Sequence, residues 1–179
     1  MCALALAVAG CGSDDQTPSA ASSSVSDGTQ GAATPVGPAP TWTVTGTTGT
    51  ATVTAGSGGS APTVDVTEPF AVDQTQVHVL SEGTGEVVGE SATVTVDYLG
   101  VNGRTGVAFD GSYERGTPAT FPLTGVISGF AKAIAGQKVG STVAVAMAPA
   151  DGYPEGQPAA GINAGDTLIF VIDIKELDS

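Results

Sequence analysis

Val94 to Phe121 reads VTVDYLGVNGRTGVAFDGSYERGTPATF, and its first half sets the class of structure. Val94, Val96 and Tyr98 alternate with Thr95 and Asp97, a period of two that predicts a half-buried β-strand with the Tyr98 ring on the valine face. Gly100, Gly103 and Gly106 then break the pattern and force turns. Phe109 and Asp110 follow, and Arg115 stands five residues beyond the aspartate, within reach of its carboxylate. A phenylalanine and a charge-paired aspartate beside an inward tyrosine predict a cavity, because phenol and carboxylate are costly to bury without purpose.

Outward from this stretch the chain is mostly strand. Gln74 to Leu80 predicts a strand with Val77 and Val79 on one face, and Gly83-Thr84-Gly85 turns the chain toward Tyr98. The glycines at 83, 85 and 89 lack the spacing of a dinucleotide fingerprint, and a strand, not a helix, follows them. Ser128 to Ala135 is the one convincing helix: Ile127, Phe130 and Ile134 fall three and four apart, and Gly136 occupies the position of a left-handed C-cap. Thr142 to Met147 alternates again, as does Leu168 to Ile174 with Leu168, Phe170, Ile172 and Ile174 on one face. Many strands with one short helix predict an α+β domain over residues 61–179.

The N-terminal third has a different composition. Of 179 residues 41% are hydrophobic and 13% charged, yet residues 12 to 62 carry only Asp14, Asp15 and Asp27 as charges and are dominated by Ser, Thr, Gly, Ala and Pro. Residues 12–40 predict a disordered tether with a reach of roughly 30 Å, having too few large apolar side chains to offset ordering entropy. Within residues 41–60, Thr41 to Thr45 and Thr50 to Thr54 alternate around Gly46 to Gly49. They predict an accessory β-hairpin, docked on the domain's edge because it carries the only Trp. Residues 1–11 form a short apolar run with no preceding Lys or Arg, ending in Val8-Ala9-Gly10-Cys11, which resembles the lipobox of bacterial lipoproteins. That resemblance implies lipidation at Cys11 and an extracytoplasmic protein held to the cell membrane by acyl chains, each buried methylene contributing about 0.8 kcal/mol.

Several function classes are excluded by chemistry that is missing. The formal net charge is -13, and nucleic-acid binding needs clustered cations, so no nucleic acid is expected as a partner. Both cysteines, Cys2 and Cys11, lie in the leader, which leaves the domain no internal disulfide and no thiolate metal site. There is no nucleophile elbow, P-loop or metal-ligand spacing, and neither cofactor nor metal is expected. His78, the only histidine, sits in a predicted strand and reads as an ordinary surface side chain.

The order of the remaining motifs resembles FK506-binding-protein-type peptidyl-prolyl isomerases. In that family Y-x-G, F-D-S-S, R-G-x-P and F-x-L follow one another. Their counterparts are Tyr98 with Gly100, Phe109-Asp110-Gly111-Ser112, Arg115-Gly116-Thr117-Pro118 and Phe121-Pro122-Leu123. The similarity runs on through Val126 to Phe130, Gly136 to Gly140, Gly152-Tyr153 and Leu168 to Phe170, spanning about Val77 to Leu177. The resemblance implies an antiparallel β-sheet wrapped around one short helix. It also implies a pocket lined by Tyr98, Phe109, Val126, Ile127, Phe130, Tyr153, Ile162 and Phe170, with Phe130 as the floor where the family usually has Trp. The Ile127 N–H and the Tyr153 hydroxyl would hold substrate carbonyls, and Asp110, fixed by Tyr98 and Arg115, would sit beside the twisting bond. Ala119, Pro154 and Pro158 depart from the family pattern at the rim and flap.

The implied reaction is cis-trans isomerisation of X-Pro bonds in secreted or envelope polypeptides. FK506-type macrolides are implied as further ligands. Such chemistry needs no acid or base: the planar amide is strongly polar, the twisted form less so, and a dry aromatic cavity favours the latter against a barrier of roughly 18 to 20 kcal/mol. The alternative is a module of the same fold that binds a peptide or partner at the cell surface without turnover.

Overall fold

The computed structural model describes residues 39–178; the proposed lipidation site Cys11 and the tether up to residue 38 lie outside them. Strands β1 (Thr41–Thr45), β2 (Thr48–Thr54) and β3 (Thr63–Ala71) form an antiparallel sheet in the order β1-β2-β3. A six-stranded antiparallel sheet holds β4 (Gln76–Ser81), β8 (Thr142–Met147), β9 (Leu168–Asp178), β5 (Thr93–Asn102) and β6 (Ala108–Gly111) in that order, with β7 (Ala119–Pro122) also on β5. Helix α1 (Ser112–Arg115) is a single turn that the sequence pattern does not announce, and α2 (Ser128–Ile134) is the predicted helix. Ala135 closes α2 through its N–H to the Ala131 carbonyl, and Gly136 follows at φ 80°, the left-handed geometry expected there.

The six-stranded sheet has a core on each face. On one side α2 places Phe130, Ala133 and Ile134 against Val94, Val96, Tyr98, Val143, Val145, Phe170 and Ile172. On the other, Val44, Ala51, Val53 and Phe70 of the three-stranded sheet cover Ala144, Ala146, Ile169 and Val171. The alternation in Thr142 to Met147 is thus one of size, with valines toward the helix and alanines toward the second sheet, and every residue from Val143 to Met147 is buried.

Two features are set by packing and not by the local pattern. The hairpin of residues 41–60 does form, but β3 pairs with β2 in register Val53↔Val64, so the segment after Ala61 belongs to the hairpin's sheet. Alternation in Val64 and Val66 signals a half-buried face without revealing which strand pairs beside it. Val77 is 39% exposed, because β4 is an edge strand and the core on that face ends before reaching it.

Candidate active site

Tyr98 lies where the pairing of β5 changes hands. β6 pairs with Leu99 to Val101 and β7 with Thr93 to Val96, leaving a gap that α1 fills. The Tyr98 N–H, without a strand partner on that side, donates to the Ser112 hydroxyl at 2.9 Å, and Ser112 donates to Asp97 at 2.8 Å. The end of β6 and the α1 turn together carry Asp110 and Arg115 past the tyrosine. The Tyr98 hydroxyl donates to Asp110 at 2.6 Å, and Arg115 donates to Asp110 at 2.8 Å and to the Tyr98 oxygen at 3.0 Å. The guanidinium also sits 5.5 Å from the Tyr98 ring centre.

This triad tunes its own charges. Burial opposes the Asp110 carboxylate, but bonds from Tyr98, Arg115 and the Gly111 N–H outweigh it and hold its carboxyl below the ordinary 3.8. Burial first, and the neighbouring carboxylate second, push the Tyr98 phenol above 10. The bonds to Tyr98 and Asp110 raise Arg115 further. At neutral pH the site therefore holds a neutral phenol, an anion and a cation, with no proton poised to move.

Beside the triad is a cavity of about 380 Å³ lined by Tyr98, Phe109, Asp110, Phe121, Gly125, Val126, Ile127, Phe130, Tyr153 and Phe170. Its aromatic rings meet edge to face: Phe170 with Phe109 and with Phe130 at 5.5 Å, and Phe121 with Tyr98 at 5.8 Å. Gly100 makes this packing possible, since a Cβ there would lie 2.8 Å from the Phe170 ring and 2.9 Å from the Phe109 ring. Among the described residues the Ile127 N–H and the Tyr153 hydroxyl have no protein acceptor or donor, so two polar groups stay available at the wall.

Eight of the residues expected at the site meet at this cavity: Tyr98, Phe109, Asp110, Val126, Ile127, Phe130, Tyr153 and Phe170. Arg115 stands behind Asp110, not on the wall. Ile162 is a correction: it exchanges backbone hydrogen bonds with Gln157 at 2.8 and 3.1 Å, is fully buried and joins the core instead of lining the pocket. Phe121 and Gly125 were not among the expected wall residues. Phe121 had a signal in the F-x-L motif; Gly125 had none.

Residues 85–175 match the family model for FKBP-type peptidyl-prolyl cis-trans isomerase. The chain is 41% identical over 96 residues to an FK506-binding protein of Streptomyces anulatus, covering 52% of this chain and 77% of that protein. It is 38% identical over 100 residues to outer membrane protein MIP of Legionella longbeachae, covering 55% of this chain and 42% of the relative. A crystal structure of a peptidyl-prolyl cis-trans isomerase from Pseudomonas syringae pv. tomato superposes with a TM-score of 0.53 at 26% identity, over 59% of this chain and 76% of the other.

Proposed function

The chain belongs to the family of FKBP-type peptidyl-prolyl cis-trans isomerases, and from that premise we propose how its pocket acts and on what. The observation that carries the proposal is the Tyr98–Asp110–Arg115 triad at an aromatic cavity whose two unpaired polar groups, the Ile127 N–H and the Tyr153 hydroxyl, face the same space. A prolyl ring enters between Phe109, Phe130 and Phe170. The Ile127 N–H and the Tyr153 hydroxyl each donate to a carbonyl of the bound peptide and hold the chain on either side of the reacting bond. Removal from water weakens the polar planar amide more than the twisted one, so the barrier falls without any covalent step. Asp110, fixed by Tyr98 and Arg115, supplies a preorganised charge beside the carbonyl carbon of the twisting bond.

The proposed substrates are X-Pro bonds of polypeptides folding on the outer side of the cell membrane. Two facts support this location: the Val8-Ala9-Gly10-Cys11 motif, and similarity to a relative named as an outer membrane protein. FK506-type macrolides fit the same reading, since about 380 Å³ lies within the size range of small-molecule pockets. Among the described residues no helix is long and apolar enough to cross a membrane, and the proposed attachment is by acyl chains on Cys11.

Protease-coupled isomerisation of a short X-Pro peptide tests the reaction: the protein accelerates it, Asp110→Ala loses most of the acceleration, and an unaltered rate in Asp110→Ala refutes the role given to the triad. Detergent partitioning with intact-mass analysis tests the anchor. The wild type partitions with detergent and carries acyl mass, Cys11→Ser does neither, and a soluble, unmodified wild type refutes it.

A further inference from the structure

The two polar groups at the pocket wall come from segments far apart in sequence, and something must fix their separation. Ile127 precedes α2, whereas Tyr153 follows the 3-10 turn Pro149–Asp151. Between them stands Asp151, two residues before Tyr153. Its Oδ1 accepts from the Ser128 hydroxyl at 2.9 Å and from Lys132 Nζ at 2.7 Å, and its backbone carbonyl accepts from Ser128 at 3.2 Å. Its Oδ2 accepts from the Thr75 hydroxyl at 2.6 Å, while the Thr75 oxygen accepts the Ala148 N–H at 3.1 Å. Ser128 and Lys132 are four residues apart, on one face of α2, so a single carboxylate grips both.

We propose that Asp151 is a positioning residue of the isomerase: it ties the Ile127 end of α2 to the Tyr153 loop and so sets the spacing of the two peptide-binding groups. Its three donors come from α2 and from the loop before β4, and its side chain is about four-fifths buried, at 21% exposure. These bonds keep the carboxylate ionised at ordinary pH, its pKa lowered to about 2 chiefly by Lys132 and Thr75. Asp151 itself does not line the cavity, so it acts through Ile127 and Tyr153 and not on the substrate. Among the described residues, the loop with Gly152 and Pro154 on either side of Tyr153 has no other side-chain bond near the tyrosine to hold it; the next side-chain tie along the chain is at Gly161, whose carbonyl accepts from Asn102 at 3.4 Å and from Arg104 at 3.3 Å.

This inference rests on the isomerase reading and is tested by a double-mutant cycle on kcat/KM with Asp151→Ala and Tyr153→Phe. Asp151→Ala lowers kcat/KM about tenfold in the wild-type background and less than twofold once the Tyr153 hydroxyl is gone, a non-additivity expected only of groups that act together. Additive losses, or no loss from Asp151→Ala, overturn the proposal. Thermal unfolding of each variant separates misplacement from unfolding, and Ser128→Ala, which spares the ion pair, reproduces the same coupling at smaller amplitude. A wild type without turnover refutes the isomerase reading instead, and the tie is then decided by 15N relaxation. Microsecond-to-millisecond exchange appears at both the Ile127 and Tyr153 amides in Asp151→Ala, and silence at either overturns it.

Discussion

Gly100→Ala adds one methyl group where the pocket is most tightly built. The new Cβ lies 2.8 Å from Cε1 of Phe170 and 2.9 Å from Cζ of Phe109, against an ordinary contact limit of 3.4 Å, so both rings are asked to retreat by roughly half an ångström. The backbone cannot yield, because Gly100 is paired with Asp110 on one side and Phe170 on the other. Phe170 cannot yield either, being 4% exposed and enclosed by Phe130 and Tyr98. Phe109 is only partly buried and faces the cavity, so its ring swings into the volume meant for the prolyl group. Overpacking costs about 1 to 3 kcal/mol, and the stiffer unfolded chain returns about 0.4 to 1 kcal/mol, for a net loss near 1 kcal/mol. Activity suffers more, by about tenfold in kcat/KM, since small misplacements at a reacting centre are expensive. Urea unfolding gives the first quantity and protease-coupled progress curves the second. Activity within twofold of wild type, alongside the stability loss, refutes the claim that the glycine exists to seat these rings.

The aromatic wall is not uniform. Phe170→Ala, in the core, costs about 3 to 5 kcal/mol, whereas Phe109→Ala, already beside a void, costs about 1 to 2 kcal/mol; equal urea midpoints contradict the burial difference. Between about pH 5.5 and 8.5 kcat/KM is flat, because the Asp110 carboxyl is lowered from 3.8 and the Tyr98 phenol raised from 10, and neither crosses that window. His78 stacks on Trp42 at 5.3 Å, away from the pocket wall, so His78→Gln leaves kcat/KM unchanged; a loss of activity in this variant contradicts the mechanism. Asp151 has a lowered folded pKa, so its stabilisation is present above the ordinary 3.8 and is lost as pH falls toward about 2. In acid titrations of stability followed by circular dichroism, Asp151→Asn shows a shallower decline over that range. A version beginning at Ala61 lacks β1 and β2, uncovers Ala144, Ala146, Ile169 and Val171, and unfolds at markedly lower urea than one beginning at Ala39; matching midpoints contradict the second core.

Sequence alone determined the elements whose signal is local. Period-two alternation marked β5, β8 and β9, the spacing of Ile127, Phe130 and Ile134 marked α2, and the five-residue step from Asp110 to Arg115 marked an ion pair. The order of short motifs carried the family and most of the pocket wall, because each motif sits on a strand end or turn whose form is dictated by nearby residues. What only the tertiary structure decided are matters of partnership. Alternation says that one face of β3 is half-buried, not that β3 pairs edge to edge with β2; valine and alanine in β8 look like one buried face until a second sheet is found on the alanines. Ile162 turned inward because Gln157 closes its loop, and Phe121 joined the wall because β7 takes the half of β5 that β6 leaves open. Asp151 is an unremarkable acid among 18 in the sequence. It becomes the tie between two binding groups only when folding brings Thr75, Ser128 and Lys132 to one carboxylate from 76, 23 and 19 residues away, a convergence that no local pattern encodes.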